Sequence, residues 1–357
     1  MSMEILTTDD AERWWHYFEK LPETHQHIHF TPDYHRVLES NGDGKARLFV
    51  HCQGANLFFY PFMLRKIDRI GEQKVDQNYH DVSSVFGYTG PLIFSDSKGF
   101  LNLAQEGLGE IYSEQKVISE IIRYNPILEN DDYTADGIQN VPVKEYVYID
   151  FPDKPAELSA IYSSRLKTYL NKAQRKDFDV NITSSKKEIY DFFELYYQHM
   201  QEMDVDNYYL FSDKYFKRLY QLIQQYGYLV YSRKEGKLAA GLIFLEYKNT
   251  AYYHHGARNI DVNNSGLVNK YLFHRAFLKQ MKDGLSNCLL GGGVTRDKDD
   301  SLLQFKKFFT NKSYDFVIGK RIVDQKIYNR VVEIWKSEYP SLAGKYRGYV
   351  DKYRFCE

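Results

Sequence analysis

Residues 228–258 read YLVYSRKEGKLAAGLIFLEYKNTAYYHHGAR, and this stretch decides the fold. It contains three runs of β-branched, aromatic and small apolar residues, which are separated by Glu235-Gly236-Lys237 and by a second turn around Asn249. Short runs of this composition between turn residues are typical of strands that are joined by hairpins. The stretch therefore predicts a three-stranded antiparallel meander.

Regularly spaced apolar residues predict helices before and after the meander. The segment KKEIYDFFELYYQHMQEM, for example, carries large apolar residues every three or four positions. The predicted order of this half is a helix at 156–177, a strand at 179–183, helices at 186–203 and 213–226, the meander, a helix at 265–283, a strand that ends in Gly291-Gly292-Gly293, and a helix around 301–309. This order predicts a largely antiparallel sheet covered by helices.

The first half carries a less distinct version of the same order. Thr7 and Asp10 have the spacing of a capping box for a helix over 7–21, and Thr31-Pro32 begins a second helix. The other predicted elements are strands at 47–52, 57–67 and 116–126, a glycine-rich loop at 86–91, a turn-rich segment at 131–142 and a strand at 145–151. Pro61 lies inside a strand, which predicts an edge position or a bulge.

Length and composition set the class of protein. The 357 residues exceed the size at which one hydrophobic core usually stops growing, and the net charge of -1 gives no general preference for nucleic acid, so DNA is not expected as a partner. No segment resembles a signal peptide or reaches the roughly 18 apolar residues of a spanning helix. Three widely separated cysteines do not make a disulfide framework. We expect a soluble protein of the bacterial cytoplasm.

The first candidate site is the glycine triplet Gly291, Gly292 and Gly293 together with the helix that follows it. Consecutive glycines let a ligand approach the backbone, and the helix that opens near Ser301 offers free N–H groups to an anion. Lys306 stands in this helix. The alternative is an ordinary glycine turn followed by a surface lysine.

An ordered set of motifs resembles the Fem-like (FemAB-type) aminoacyltransferases and their acetyltransferase-like relatives in the GNAT superfamily. It is carried by the meander that ends in YYHHGA, by the glycine triplet and by the helix SLLQFKKFF. Weaker matches in the same order are Tyr60-Pro61, FGYTGP at 86–91, SEIIRYNP at 119–126 and the basic helix around Arg165, Asn171 and Arg175. The chain has no heptad-like segment for the helical arm that Fem proteins often carry.

The resemblance implies the class α+β, with two tandem GNAT-like domains whose mainly antiparallel sheets are flanked by helices. We place the domains at 1–150 and 151–319, with a cleft between them and the segment 320–357 packed back on the first domain. In the family, a phenylalanine–lysine pair lies at the transfer centre and the lysine stabilises the tetrahedral oxyanion. These roles fall on Phe305 and Lys306.

We therefore predict an acyl- or aminoacyltransferase in which an amine attacks directly, without a tightly bound cofactor. The acceptor would be a small-molecule or lipid-linked cell-envelope precursor of peptidoglycan type, or an activated sugar, which leaves room for peripheral membrane contact. Acyl-CoA and aminoacyl-tRNA are both candidate donors. The alternatives are a CoA-dependent N-acyltransferase of polysaccharide or lipid biosynthesis and a non-catalytic GNAT-like binding module.

The helix with Arg165, Arg175 and Lys176 is a candidate for holding phosphate groups, and the alternative is a solvated basic face. Lys167 and Lys172 add to its charge.

His255, at the end of the meander, is a candidate for accepting the proton of the attacking amine, although strand histidines commonly serve packing. Asp81 and Tyr88 flank the glycine-rich loop of the first half and are candidates for binding the acceptor. No metal is predicted, because the histidines at 25–29 have no carboxylate or cysteine at ligand spacing.

Overall fold

The computed structural model describes residues 2–133, 135–176, 178–203, 209–262 and 266–356. Residues 134, 177 and 265, which the sequence assigns to a turn-rich segment and to the ends of two helices, lie outside the described residues. The strands are β1 (Ser2–Leu6), β2 (Lys45–Gln53), β3 (Asn56–Ile70), β4 (Gln73–Ser83), β5 (Leu92–Phe94), β6 (Val117–Arg123), β7 (Gln139–Asp150), β8 (Val180–Thr183), β9 (Gly227–Lys234), β10 (Lys237–Tyr247), β11 (Thr250–Arg258), β12 (Asn287–Gly291) and β13 (Ser313–Ile322).

The α-helices are α1 (Ala11–Phe18), α2 (Pro32–Asn41), α3 (Lys98–Glu114), α4 (Ser164–Arg175), α5 (Lys186–Glu202), α6 (Asp213–Tyr226), α7 (Leu267–Lys282), α8 (Ser301–Lys306) and α9 (Gln325–Glu338). The chain divides into two units. The first comprises Met1–Pro22, His29–Val143 and Phe316–Glu357, and the second comprises Glu23–Ile28 and Lys144–Asp315.

The two units have the same strand order. In the first unit, β1, β2, β3 and β4 pair antiparallel in turn, β4 pairs parallel with β6, and β6 pairs antiparallel with β13. In the second unit, β8, β9, β10 and β11 pair antiparallel, β11 pairs parallel with β12, and β12 pairs antiparallel with β7. The predicted class, with mainly antiparallel sheets flanked by helices, is confirmed.

Local signals begin the helices where the sequence places them. The capping box of Thr7 and Asp10 is present, but it begins a 3-10 segment over Thr8–Asp10, and α1 follows over Ala11–Phe18, shorter than the predicted helix at 7–21. The Thr31 hydroxyl accepts from the backbone N–H of Tyr34 at the start of α2. The helix predicted at 156–177 is shorter than expected, because a 3-10 segment ends at Ile161 and Ser163 caps α4.

Pro61 lies in β3, an inner strand. On one side of β3, however, the absent N–H group of Pro61 does not remove a hydrogen bond to a neighbouring strand. There, β3 pairs with β5 over Leu57–Phe59 and with β4 only from Met63 onward. Pro61 therefore occupies a gap between two partners, which satisfies the rule that confines proline to places without a ladder bond.

Each unit has its own core. In the first unit, one cluster packs α3 on the sheet through Phe58, Phe100 and Leu108, and another packs α9 on it through Ile118 and the fully buried Trp335. The core of the second unit joins α4, α7 and α8 to β9, β10 and β12. No α-helix in the described ranges combines the length and the apolar character needed to cross a membrane.

Candidate active site

The parallel strands of the second unit part from each other, and this opening is where the candidate site lies. The ladder between β11 and β12 runs from Thr250–Asn287 to Tyr252–Leu289 and stops there, while β11 continues to Arg258. In the first unit, β4 pairs with β6 through its last residue, Ser83. The opening therefore distinguishes the second unit from the first.

A β-bulge re-aims side chains at this opening. Ile243 pairs with His255 and Phe244 pairs with Tyr253, so His254 is the extra residue of β11. Consecutive strand residues normally point to opposite faces, but here both histidine rings reach the hydroxyl of Tyr215, at 3.0 and 2.7 Å. Bulges of this kind are common beside active sites.

The His255 side chain is enclosed by other side chains and is not exposed at the surface. Its ring is buried and packs against Tyr196 and Phe211. Burial lowers the pKa of His255 well below its ordinary value, and it lowers the pKa of His254 to about 3. Both rings are therefore neutral near pH 7, which is the form that accepts a proton, but His255 is enclosed, and its role as the acceptor of the amine proton stays a prediction.

The glycine triplet is packed against the protein itself. Gly291 has a φ of +76°, which favours glycine. A side chain on Gly292 would lie 2.5 Å from the ring of Tyr146, and one on Gly293 would meet the carboxylate of Asp300. The prediction that these glycines open the backbone to a ligand is therefore corrected: the side chains of this unit fill the space.

The backbone N–H groups at the N-terminus of α8 likewise have a hydrogen-bond acceptor within the protein. One carboxylate oxygen of Asp300 accepts from the backbone N–H groups of Leu302 and Leu303, and the other accepts from the N–H and the hydroxyl of Thr295. An anionic cap already neutralises these helix donors. The expected anion site at this helix end is therefore not open.

Lys306 lies in the opening. Its side chain is only 5% exposed, its ammonium donates to the carbonyl oxygen of Gly292 at 2.7 Å, and it lies 5.5 Å from the ring centre of Tyr253. Burial, and then the charge of Lys144, lower the pKa of Lys306 to about 7. Within the described ranges no carboxylate forms an ion pair with it. It is a buried cation that can bind a developing negative charge.

Phe305 packs into the core of the second unit. Its ring contacts those of Phe273, on α7, and Phe309. This packing positions the short helix α8, and with it the Lys306 side chain. Lys306 and Phe305 therefore share a helix but have different surroundings.

A second buried cation, Lys270, was missed by the sequence analysis. It is 9% exposed and lies over the rings of Tyr169 at 4.9 Å, Phe305 at 5.1 Å and Phe308 at 5.6 Å. Burial lowers the pKa of Lys270. No carboxylate of the described chain pairs with it. Its position in the first turn of a helix that follows a glycine was the only sequence signal.

Arg165 extends the same cluster toward solvent. Its Nε donates to the Tyr169 hydroxyl at 3.1 Å, and its guanidinium lies 5.5 Å from the ring centre of Phe308. Lys172 and Lys176 follow Arg165 by seven and eleven residues, so they lie on the same side of the helix axis as Arg165. Arg175 lies about 80° away from Arg165 around that axis. Among the predicted basic residues, the structure brings Arg165 to the aromatic cluster and leaves Arg175 and Lys176 exposed on other turns.

Asp81, in the first unit, is not available to an acceptor. Its side chain is buried, and its carboxylate accepts from Arg65 at 2.5 Å, from Arg354 at 2.9 Å and from the Tyr353 hydroxyl at 2.9 Å. Burial alone would raise the pKa of Asp81, but Arg354 and Arg65 outweigh it and lower the pKa. The predicted binding role is corrected to a structural one.

Tyr88 is half-buried in the first unit. Its ring makes edge contacts with His29 at 5.3 Å and with Phe316 at 5.8 Å. Gly87, beside it, has a φ of +128° and no space for a side chain next to His29. The glycine-rich loop thus serves the packing of Tyr88, whose binding role stays a prediction.

Residues 162–299 match the family model described as an acetyltransferase (GNAT) domain. This range contains the meander, the parting strands and the glycine triplet. The match confirms the predicted likeness to the GNAT superfamily and the prediction of a transferase. No curated protein sequence matches the chain.

Solved structures share the fold over most of the chain. FemX matches with a TM-score of 0.67 at 14% identity, over 92% of this chain and 99% of FemX. The C-terminal domain of a putative lysylphosphatidylglycerol synthetase from Agrobacterium fabrum matches with a TM-score of 0.52 at 12% identity, over 87% of this chain and 92% of that one. L-PGS from Bacillus licheniformis matches with a TM-score of 0.51 at 14% identity, over 87% of this chain and 92% of that one. At these identities the likeness is one of fold.

Proposed function

We propose that this chain, part of which matches an acetyltransferase (GNAT) domain, moves an acyl or aminoacyl group from a phosphate-bearing carrier to an amine. The observation that carries the proposal is the buried Lys306 ammonium at the parting of β11 and β12, which has no ion-pair partner in the described chain. The experiment that tests it is a transfer assay with labelled acyl-CoA and labelled aminoacyl-tRNA, in which acceptor amines are followed by mass spectrometry. Binding without turnover of either donor would support a non-catalytic module.

In the proposed reaction the amine nitrogen attacks the carbonyl carbon of the carrier ester or thioester. The carbonyl oxygen becomes negative as the tetrahedral species forms, and the Lys306 ammonium donates a hydrogen bond to it. The bond to the carrier oxygen or sulfur then breaks, the carrier leaves as an alkoxide or thiolate, and the proton lost by the nitrogen passes to that leaving group. Because Lys306 is already desolvated, its charge acts on the oxyanion without the screening that water would cause.

The carrier is proposed to bind at Lys270 and Arg165. A buried ammonium without a carboxylate partner is costly, so an anion at this position relieves the cost. The aromatic rings around Lys270 exclude water, and the Arg165 guanidinium offers several N–H donors on the solvent side. Phosphate groups are the anions that the two candidate donors have in common.

The family match favours acyl-CoA as the donor. A second candidate, aminoacyl-tRNA, is favoured by one observation: the exposed basic face of α4 runs about 16 Å from Arg165 to Lys176. A face of that length can follow several phosphates of a nucleic-acid backbone. The two donors differ in salt dependence, because each released counterion adds to the slope for a polyanion.

The acceptor is proposed to be an amine on a cell-envelope precursor or an activated sugar. The fold that this chain shares with FemX and with the domain of a putative lysylphosphatidylglycerol synthetase supports the search for such acceptors, although it does not choose between them. A CoA-dependent N-acyltransferase of polysaccharide or lipid biosynthesis is the form this function takes if acyl-CoA alone is turned over.

The variant Lys270→Met is expected to weaken donor binding by about 10- to 100-fold, because one charge-assisted hydrogen bond contributes about 1.5–3 kcal/mol. The turnover rate at saturating donor should change little, since Lys270 is not proposed to contact the oxyanion. Equilibrium binding of CoA thioester and of charged tRNA, repeated over a range of salt concentrations, measures this. Lys282→Met, exposed near the end of the same helix, is the matched control.

Equal losses in Lys270→Met and Lys282→Met would mean that a general surface potential binds the donor. Charge reversal at Arg175 and Lys176 then tests the rest of α4: it should flatten the salt dependence for charged tRNA and leave binding of the CoA thioester nearly unchanged. An unchanged slope for tRNA would make these residues an ordinary solvated face.

A further inference from the structure

Tyr253 carries a hydroxyl into the opening between β11 and β12. It is the first residue of β11 beyond the last pair of the parallel ladder, Tyr252–Leu289. Its ring packs against those of Phe244 and Phe273, with 5.8 and 4.9 Å between ring centres. The side chain is half-buried, and its hydroxyl has no hydrogen-bond partner among the described residues. Because a buried tyrosine hydroxyl normally has such a partner, this one is available to a ligand.

Two features of β11 make room for this hydroxyl. The bulge at His254 shifts the alternation of side chains, so that Tyr253 and Gly256, which pair with Phe244 and Leu242, follow each other on one face of the sheet. A Cβ atom on Gly256 would lie 2.1 Å from the Tyr253 oxygen. Any other residue at position 256 would therefore displace the hydroxyl.

The Tyr253 ring lies beside the Lys306 ammonium, which is 5.5 Å from the ring centre. The two groups do not bond to each other, because the ammonium donates to the carbonyl oxygen of Gly292 and an ammonium has three donors in all. Burial raises the pKa of Tyr253, so the hydroxyl keeps its proton at neutral pH. The opening thus holds a neutral donor next to a charged one.

We propose that Tyr253 is a catalytic residue, whose hydroxyl donates a second hydrogen bond, beside that of Lys306, to the carbonyl oxygen that becomes negative during transfer. The inference rests on the proposed function. The hydroxyl keeps its proton throughout, so no covalent bond forms or breaks besides those of the transfer itself. Tyrosine hydroxyls are among the preorganised donors that stabilise such oxyanions. Since this hydroxyl has no partner in the described chain, it meets the oxyanion without first giving up another hydrogen bond.

The variant Tyr253→Phe removes the hydroxyl and keeps the ring. It is expected to lower kcat by about 100-fold, the loss typical of one donor to an oxyanion, while KM changes little. Steady-state kinetics with the donor and acceptor found in the transfer assay measures both values. Tyr231→Phe is the matched control, because Tyr231 lies on β9 of the same sheet and its hydroxyl also has no partner in the described chain. The control should leave both values unchanged.

The variant Gly256→Ala tests the same hydroxyl in a second way. The added methyl group would occupy the position of the Tyr253 oxygen, so kcat should fall when Tyr253 is present. Combined with Tyr253→Phe, the same change should have a much smaller effect, because the hydroxyl that it displaces is already gone. If the methyl group disturbed only the strand, it would lower kcat by the same factor in both proteins.

The inference is overturned if Tyr253→Phe has the kcat of Tyr231→Phe, if it raises KM alone, or if Gly256→Ala acts equally in both proteins. Lys306→Ala in the same assay separates this failure from that of the proposed function. A loss of kcat in Lys306→Ala beside a full kcat in Tyr253→Phe leaves the proposed function in place and removes Tyr253 from it. A full kcat in Lys306→Ala, or no turnover of either donor by the unaltered protein, removes the proposed function and the inference with it.

Discussion

Replacing Lys306 by alanine is expected to lower kcat by about 100- to 1,000-fold, the loss typical when one donor to an oxyanion is removed. KM should change little, because Lys306 is proposed to meet the oxyanion only as the tetrahedral species forms. Lys306→Arg should restore part of the activity, since a planar guanidinium carries the charge at a different point. Steady-state kinetics with the donor and acceptor found in the transfer assay measures all three values.

Lys307→Ala is the control for this experiment. It removes the same chemical group one residue along the helix, where the side chain points about 100° away and pairs with Glu145. Equal losses in the two variants would show that α8 contributes only positive charge. A loss of affinity without a loss of kcat in Lys306→Ala would contradict the oxyanion role.

Replacing Asp81 by asparagine is expected to destabilise the protein toward the lower end of about 3–5 kcal/mol, the cost of breaking a buried ion pair from one side. The change leaves Arg65 and Arg354 without their common carboxylate. Their side chains are 19% and 29% exposed, so water offsets part of the loss. Denaturant unfolding measures the change, and Asp68→Asn, in an exposed pair with Lys66, is the matched control, expected to change stability by less than about 1 kcal/mol.

The Asp81 result also has a pH signature. Because the pKa of Asp81 is lower in the folded protein than in the unfolded chain, its contribution is present above the unfolded pKa and is lost as the pH falls through the folded pKa. The asparagine variant should therefore lose less stability than the unaltered protein as the pH falls through this range. If Asp81→Asn instead leaves stability unchanged and abolishes acceptor binding, the structural role assigned to Asp81 is wrong.

Elements with strong local signals were predicted correctly from the sequence. The meander at 228–258, the capping box of Thr7 and Asp10, and the start of α2 at Thr31-Pro32 all depend on neighbours in the chain. Such contacts are encoded within a few residues. A single sequence is therefore sufficient for them.

Elements with weak local signals were missed. The strand β4 is largely polar, and its partners β3 and β6 lie elsewhere in the chain. The helix α3 contains glycines, which lower helix propensity. One of them, Gly107, lies where a side chain would meet Met3 and Phe49, so its reason is a tertiary contact. The strand β13 was likewise missed, and its antiparallel partner β6 lies far away in sequence.

For the candidate site, the sequence by itself determined that Phe305 and Lys306 share a short helix after a glycine-rich strand end. Only the tertiary structure decided what surrounds them. It packed Gly292 against Tyr146 and Gly293 against Asp300, enclosed His255 against Tyr215, and brought Lys144 to the Gly293 carbonyl and Lys270 to the ring of Phe305 from other segments of the chain. The physical reason is that burial and charge pairing depend on residues far apart in the chain, whereas helix and turn formation depend on adjacent ones.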